Sequence, residues 1–572
     1  MNFKKFFLTI SLALVIAVSG CSPITAPTDV NAAFESFTLQ LFQEEVAAST
    51  LGLHYTLQSP EAYGVDPGII SFGTYSTDNT ELLASLENLQ ESFKRFPYQK
   101  LSDENKLTHD ILSFHMKMTA EDAAYMLYAE PLSSVTGIHA QLPVLLAEYA
   151  LNTEADVETY LSLVQTLPDY YDSLICFEKA KAEAGLFMPS SSLDKVLEQC
   201  NAFLSMGDEN YLLSTFEERL QHIPSLTAQK RETYLTRNRE LIKAAVIPAY
   251  EQLIAALSSL HASAKNEQGL CYLPGGKEYY RHLVAKETGS SRSLEELQAL
   301  IETQIADDIL AMQEVANENP SIIEETSSLP NRVPDTILST LKDGIADAFP
   351  AVPEVSIDIK YVPKALEPHL SPAFYLIPAI DCPEENVIYI NGGQSFDALQ
   401  LFTTLAHEGY PGHLYQTTYY AHTDPDPLRN ILNFKGYVEG WATYAEMCSY
   451  YLSPLNKPYA TLLQKNNSLI LGLYARADMG VHGEGWDLPR TIEFFETYGI
   501  EDEATIQEIY DLILSDPANY LAYYVGYLEI LELKRAYMRQ TGDDFSQKEF
   551  HKKFLDVGPA PFAIVNKQIN GT

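Results

Sequence analysis

Apolar residues recur three and four positions apart over most of residues 34–350, the spacing of helices that bury one face. The stretch 83–117 carries Leu83, Leu86, Leu89 and Phe93, then Leu107, Ile111 and Phe114, and residues 234–263 and 293–316 repeat the pattern. Ser293-Leu294-Glu295-Glu296 has the form in which a Ser hydroxyl and a Glu carboxylate satisfy each other's backbone N–H groups, predicting a helix that starts at about 294. The period changes at 354–361, where Val355, Ile357, Ile359 and Tyr361 alternate with polar residues as in a half-buried strand, and short β-rich runs follow at 373–377 and 386–390. Asn391-Gly392-Gly393 reads as a turn, after which 396–406 returns to helical spacing and delivers His407. The expectation is a mainly α fold: a helical lobe over 34–350, and a second lobe over 351–572 that carries a small sheet near 354–391 and the residues with chemistry.

With 572 residues, 46% hydrophobic and 11% aromatic, the chain has enough apolar side chains for a large core. Its first residues combine Lys4 and Lys5, an apolar stretch over 6–18 and the small pair Ser19-Gly20, the three parts of an export signal. The apolar part is too short to span a membrane well. Val18-Ser19-Gly20-Cys21 resembles a bacterial lipobox, which implies removal of a signal peptide over 1–20 and a lipid on Cys21, anchoring the protein to the outer face of the membrane. Residues 21–33, rich in Pro, Ser and Thr, read as a tether. Contact with the bilayer is expected through Cys21 alone.

A net charge of −39 excludes nucleic acid as a partner, since phosphate binding requires clustered Lys and Arg. It fits a solvated exported surface and also the attraction of cationic peptides. Cys176, Cys200, Cys271, Cys382 and Cys448 follow no metal-knuckle spacing, and their odd number argues against a disulfide framework.

The chemistry is concentrated in 401–416, LFTTLAHEGYPGHLYQ. His407 beside Glu408, with His413 following, places a metal ligand next to a general base and close to a second imidazole. Six residues along an ideal helix rise about 9 Å and rotate about 240°, too far apart for one zinc. Pro411 and Gly412 are the residues able to break the helix and bring His413 back. Candidates for a third ligand lie in 435–446, where Glu439 and Glu446 share a helix face otherwise made of Trp, Ala and Tyr. Glu439 is assigned as ligand and Glu446 as its outer support. Arg476, Asp478 and His482 form a further polar group, with His482 a donor to the reacting carbonyl or an alternative ligand. Tyr520, Tyr523 and Tyr524 offer hydroxyls for an oxyanion, although any one of 36 tyrosines is by default a packing residue.

Together these strings resemble the exported lipoprotein branch of the bacterial family called domain of unknown function 885. The matching pieces are Ser371 to Tyr375, Asn386 to Asn391, His407-Glu408-Gly409-Tyr410-Pro411-Gly412-His413, Glu439-Gly440-Trp441-Ala442, Asp478 to His482 and Phe550-His551, with further similarity around 269–274. That family is similar to helical zinc peptidases of the thimet oligopeptidase and carboxypeptidase Taq type. The likeness implies a two-lobed helical body with a deep cleft, a sheet edge able to pair with an extended peptide, a zinc ion, a Glu ligand at 439 and a late Tyr at 523. The chain departs from it in the His spacing, and in Ala518-Asn519-Tyr520 where the family commonly shows Gly-Gln-Ala. The expected activity is zinc-dependent hydrolysis of peptides with Glu408 as base. A lipid-anchored peptide or solute binder without turnover, and a metal-dependent amidase acting on cell-wall peptides, are the alternatives.

Overall fold

The computed structural model describes residues 29–571 apart from 325–328, 330–331, 363, 365–366, 368–370 and 394–395. The expected signal peptide and Cys21 lie outside the described residues. Helices dominate, as the 3.6-residue spacing predicts, and the Ser293/Glu296 capping box opens the helix Leu294–Glu318. The end of the expected tether is helical. Asp29 caps a helix Val30–Ala47 by accepting from the Asn31 N–H, so residues 30–33 are helical. In the helix Thr80–Phe93 the buried stripe is Leu82, Leu86, Leu89 and Phe93, and Leu83 faces solvent. Cys176, Cys200, Cys271, Cys382 and Cys448 are all free thiols.

Among the described residues two large hydrophobic cores, beside a small cluster of Leu82, Leu86 and Ala123, divide the chain differently from a boundary at 350. One gathers Leu145, Val157, Leu174, Phe216 and Leu253 from the middle of the chain. The other joins Phe34, Phe42, Phe93 and Ile111 near the N-terminus to Leu297, Leu405, Trp441, Leu473 and Phe554. The first helices therefore pack on the C-terminal body. Local periodicity reports that a face is buried, not which distant segment covers it.

The sheet separates the two cores. Its strands are β1 (Ser356–Tyr361), β2 (Ala373–Leu376) and β3 (Glu385–Ile390), in the order β1-β3-β2, with β3 parallel to β1 and antiparallel to β2. Alternate residues of a strand point to opposite faces. Tyr375, Ile388 and Ile390 accordingly join the C-terminal core, and Phe374 and Tyr389 join the middle one. β1 lies on the rim, with Ile357 and Ile359 half-buried and Tyr361 exposed.

Five helices build the site: α1 (Ala398–Glu408), α2 (His413–Ala421), α3 (Lys435–Ser449), α4 (Lys457–Met479) and α5 (Asn519–Thr541). α3 and α5 meet backbone to backbone. A Cβ on Gly440 would stand 2.4 Å from the Gly526 carbonyl carbon, and one on Gly526 would stand 2.1 Å from the Gly436 oxygen. Only glycines permit this crossing, which places residue 439 of one helix beside residue 523 of the other.

Candidate metal centre

α1 stops at Glu408 and α2 begins at His413, so the two imidazoles start from different helices. The four intervening residues contain a cis Tyr410–Pro411 bond, and the indole Nε1 of Trp441 on α3 donates to the Pro411 carbonyl at 2.8 Å. Gly412 lies directly against the end of α1, where a Cβ would come within 1.8 Å of the His407 oxygen. This close fold-back brings the His407 and His413 ring centroids to 4.9 Å, nearly perpendicular at 82°.

The Glu439 carboxylate faces both rings: its Oε2 lies 3.2 Å from His413 Nε2 and 3.7 Å from His407 Nε2. Ligand atoms around a tetrahedral zinc at about 2.1 Å stand roughly 3.4 Å apart, so each imidazole nitrogen lies about as far from the Glu439 oxygen as two ligands of one ion would. Glu408 also belongs to the cluster, its carboxylate and the two imidazoles offering atoms within 4.8 Å of one another. Glu408, His413 and Glu439 are buried and His407 is nearly so. Carboxylates packed this tightly in an apolar surround need a cation. Burial disfavours charge on His407, yet Glu439 and Glu446 outweigh it and hold its pKa up at about 10. His413, where burial outweighs Glu439, is lowered instead.

Glu446 lies one layer out. Its Oε2 sits 3.1 Å from His407 Nδ1, and its Oε1 accepts from Asn467 Nδ2 at 2.9 Å. This fixes the ring with Nε2 directed at Glu439, the carboxylate–imidazole support seen behind metal-bound histidines. His413 Nδ1 is buried without a hydrogen-bond partner. Any divalent ion held at this centre is expected to bind roughly 10–100-fold more weakly in Glu446→Gln, with little change in fold. A competitive chelator titration measures it, and an unchanged affinity would deny Glu446 this role.

Glu408 is held from the sheet, its Oε2 accepting from the Tyr375 backbone N–H of β2 at 2.8 Å. Tyr523 completes the group. Its ring lies 6.2 Å from that of His407, nearly parallel to it, and its hydroxyl pairs with Glu439. Burial, reinforced by the Glu439 and Glu408 carboxylates, pushes the phenol well above its ordinary range, so it remains a proton donor.

The remaining predicted residues are not gathered here. His482 accepts from the Leu270 N–H at Nδ1 (3.0 Å) and meets the Ile513 carbonyl with Nε2 at 2.9 Å, so both ring nitrogens are committed to bracing two segments. The ring is thus held within the fold and is not brought to the His407–His413 pair. Asp478 accepts from Tyr280 Oη at 2.5 Å and from the Ala518 N–H at 2.9 Å. Ala518 has φ +64°, a left-handed conformation unfavourable to a side-chain-bearing residue, and Asp478 holds it there at the start of the helix that carries Tyr523. Arg476 pairs with Glu302 and Glu484, both at 2.8 Å, and lies over the Trp486 ring. These three support the fold around the centre and do not touch it. Sequence reasoning does not foresee Asn467, the Tyr375 N–H or the Pro411–Trp441 bond; Trp441 was visible in the Glu439-Gly440-Trp441 string, but the others carry no local signature.

Burial lowers the His482 pKa to about 4 from an ordinary value near 6.5. The unfolded chain thus takes up this proton first as the pH falls. The stability from neutral His482 is present above pH 6.5 and is lost as the pH drops through about 4. In His482→Gln, whose amide keeps a donor and an acceptor without titrating, the fall in Tm between pH 7 and pH 5 is expected to be smaller than in the parent. Nearby Asp478, pushed up to about 7 by burial, responds oppositely but is common to both proteins. Equal pH dependence in thermal melts would contradict the assignment.

The family model described as "Bacterial protein of unknown function (DUF885)" matches residues 72–569. Two solved structures share the fold. The crystal structure of a candidate lipoprotein from Colwellia psychrerythraea superposes with a TM-score of 0.82 at 20% identity, covering 95% of this chain and 99% of that one. A candidate lipoprotein of unknown function from Shewanella oneidensis gives a TM-score of 0.62 at 17% identity, covering 94% and 98% respectively. No curated protein matches the chain.

Proposed function

The chain belongs to the bacterial DUF885 family, and from that premise we propose that it is a zinc-dependent peptidase of the cell envelope, lipid-anchored through Cys21. The observation that carries the reading is the convergence of His407 Nε2, His413 Nε2 and Glu439 Oε2, with Glu408 beside them. The donor set of two imidazoles and one carboxylate suits zinc in its hydrolytic form, with a fourth position left for water or substrate. The location rests on the Val18-Ser19-Gly20-Cys21 string and on the description of both structural neighbours as candidate lipoproteins.

His407, His413 and Glu439 would hold the ion. Zinc supplies Lewis acidity, polarising a carbonyl and lowering the pKa of bound water toward about 7. Glu408 is the base. The Tyr375 N–H fixes one of its oxygens, and the carboxylate takes the proton of the attacking water and returns it to the leaving amine. Tyr523 donates its phenolic hydrogen to the oxygen on which charge develops. Glu446 keeps the His407 ring in register, and the α3–α5 crossing keeps Tyr523 within reach. This chemistry resembles that of the thimet oligopeptidase and carboxypeptidase Taq type of helical peptidase, at the level of motif and donor set.

The test is elemental analysis of the purified protein combined with digestion of a mixed peptide library read by mass spectrometry. About one zinc per chain and new peptide termini are expected. Protein that binds no zinc and leaves every peptide intact would refute the reading in favour of a binder. Zinc with intact linear peptides but with ammonia or amines released from cell-wall peptides would identify the amidase instead.

A further inference from the structure

A cavity of about 780 Å³ lies between the two cores and reaches Glu439 and Tyr523 at one end. Seven carboxylates line it against two lysines and no arginine. Both lysines are already matched, Lys286 with Asp122 at 2.9 Å and Lys435 with Glu287 at 3.5 Å and with Asn519 at 2.9 Å. Glu130 is matched from behind by Lys181 at 2.6 Å. Asp516 feels the charge of Lys435 but makes no ion pair with it: its Oδ2 is buried without a hydrogen-bond partner, and it is close enough to Tyr523 for its charge to act on the phenol.

A second observation comes from the opposite wall. Gln141, on the helix Ile138–Glu148 of the middle lobe, is fully buried, and neither its Oε1 nor its Nε2 has a partner. An amide buried with both groups unpaired is costly, several times a net hydrogen bond. Gln141 lines the cavity, and its unpaired donor and acceptor are the complement of a peptide bond. Acidic lining alone would suit any cation; the amide adds a preference for a polypeptide.

We propose that this cavity is a peptide subsite in which Asp516 receives a cationic group, an α-amino terminus or a Lys or Arg side chain, while Gln141 pairs with the backbone. The inference rests on the peptidase reading for its link to turnover, but binding can be measured without it. Carboxylates at the floor give the charge preference, and the tyrosine-rich walls, including Tyr125 and Tyr279, supply faces for a cation or an aliphatic stem.

The experiment is calorimetry on zinc-loaded Glu408→Gln protein with four five-residue probes: pentaalanine with a free amino terminus, its N-acetyl form, and N-acetyl forms with one Lys or one Glu. At least one cationic probe is expected to bind about tenfold more tightly than acetylated pentaalanine, and the Glu probe more weakly than it. The free-terminus and Lys probes tell the two cation sources apart. Adding Asp516→Asn should abolish the charge preference, and adding Gln141→Leu should weaken all four probes alike, with melting curves verifying that each variant is folded. Equal affinities across the set, a preference that survives Asp516→Asn, or no binding by any probe would overturn the proposal. Charge-selective binding without turnover by the parent enzyme would sink the peptidase reading alone, and turnover without charge preference would sink the subsite alone.

Discussion

On the proposed peptidase reading, Glu408→Gln is expected to keep the zinc of its parent and to lose peptide hydrolysis by about 10²–10⁴-fold, the usual contribution of a positioned base. The substitution preserves shape, and an amide oxygen can still accept from the Tyr375 N–H that now holds the carboxylate at 2.8 Å. His407, His413 and Glu439 are untouched, so metal stoichiometry should be that of the parent. What disappears is the ability to take a proton from water. Because binding precedes that step, kcat should carry most of the loss and KM little of it. Initial rates on any peptide found in the library digest, alongside zinc analysis, make the comparison. Undiminished kcat would remove Glu408 from its role, and loss of the metal would show it to be a ligand.

Gly412→Ala should damage both the fold and the candidate centre. The added methyl would occupy space 1.8 Å from the His407 oxygen and 2.4 Å from that of Ala406, both backbone atoms at the end of α1. Neither can rotate away, so the fold-back must open, at a cost of about 1–3 kcal/mol in stability. Opening it moves His413, and with one of the three proposed ligands displaced the affinity for zinc should fall by more than about 10²-fold. Denaturant unfolding and zinc titration report the two effects separately. If the variant matched its parent in both, the close contact between the loop and α1 would not be what places His413.

Local chemistry is what the sequence states clearly. The capping box at Ser293, the three short strands and the apolar approach to His407 all lie within a few residues of the signals that specify them, and all are found. The break between His407 and His413 was legible as a requirement, because Pro411 and Gly412 are unsuited to a continuous helix. Its actual geometry depends on Trp441, contributed by another helix. Glu439 could be singled out because a carboxylate on an aromatic helix face demands a cationic partner. His482 shows what such reasoning cannot read. A buried imidazole is equally well used to tie Leu270 to Ile513, and the chemistry of the side chain does not reveal which. The affiliation of the N-terminal helices with the C-terminal core, and the backbone crossing of Gly440 and Gly526, depend on contacts far apart along the chain that no window of local periodicity contains.

The crossing of α3 and α5 bears on when the protein first becomes competent. Glu439 and Tyr523 are neighbours only because two glycines let their backbones touch, and Tyr523 is oriented by a helix start that Asp478 holds in place. A nascent polypeptide interrupted before α5 has been synthesised would own two imidazoles and their neighbouring carboxylates but no phenol beside them. On the proposed reading, competence therefore arrives late in synthesis, with a segment more than a hundred residues after the paired imidazoles.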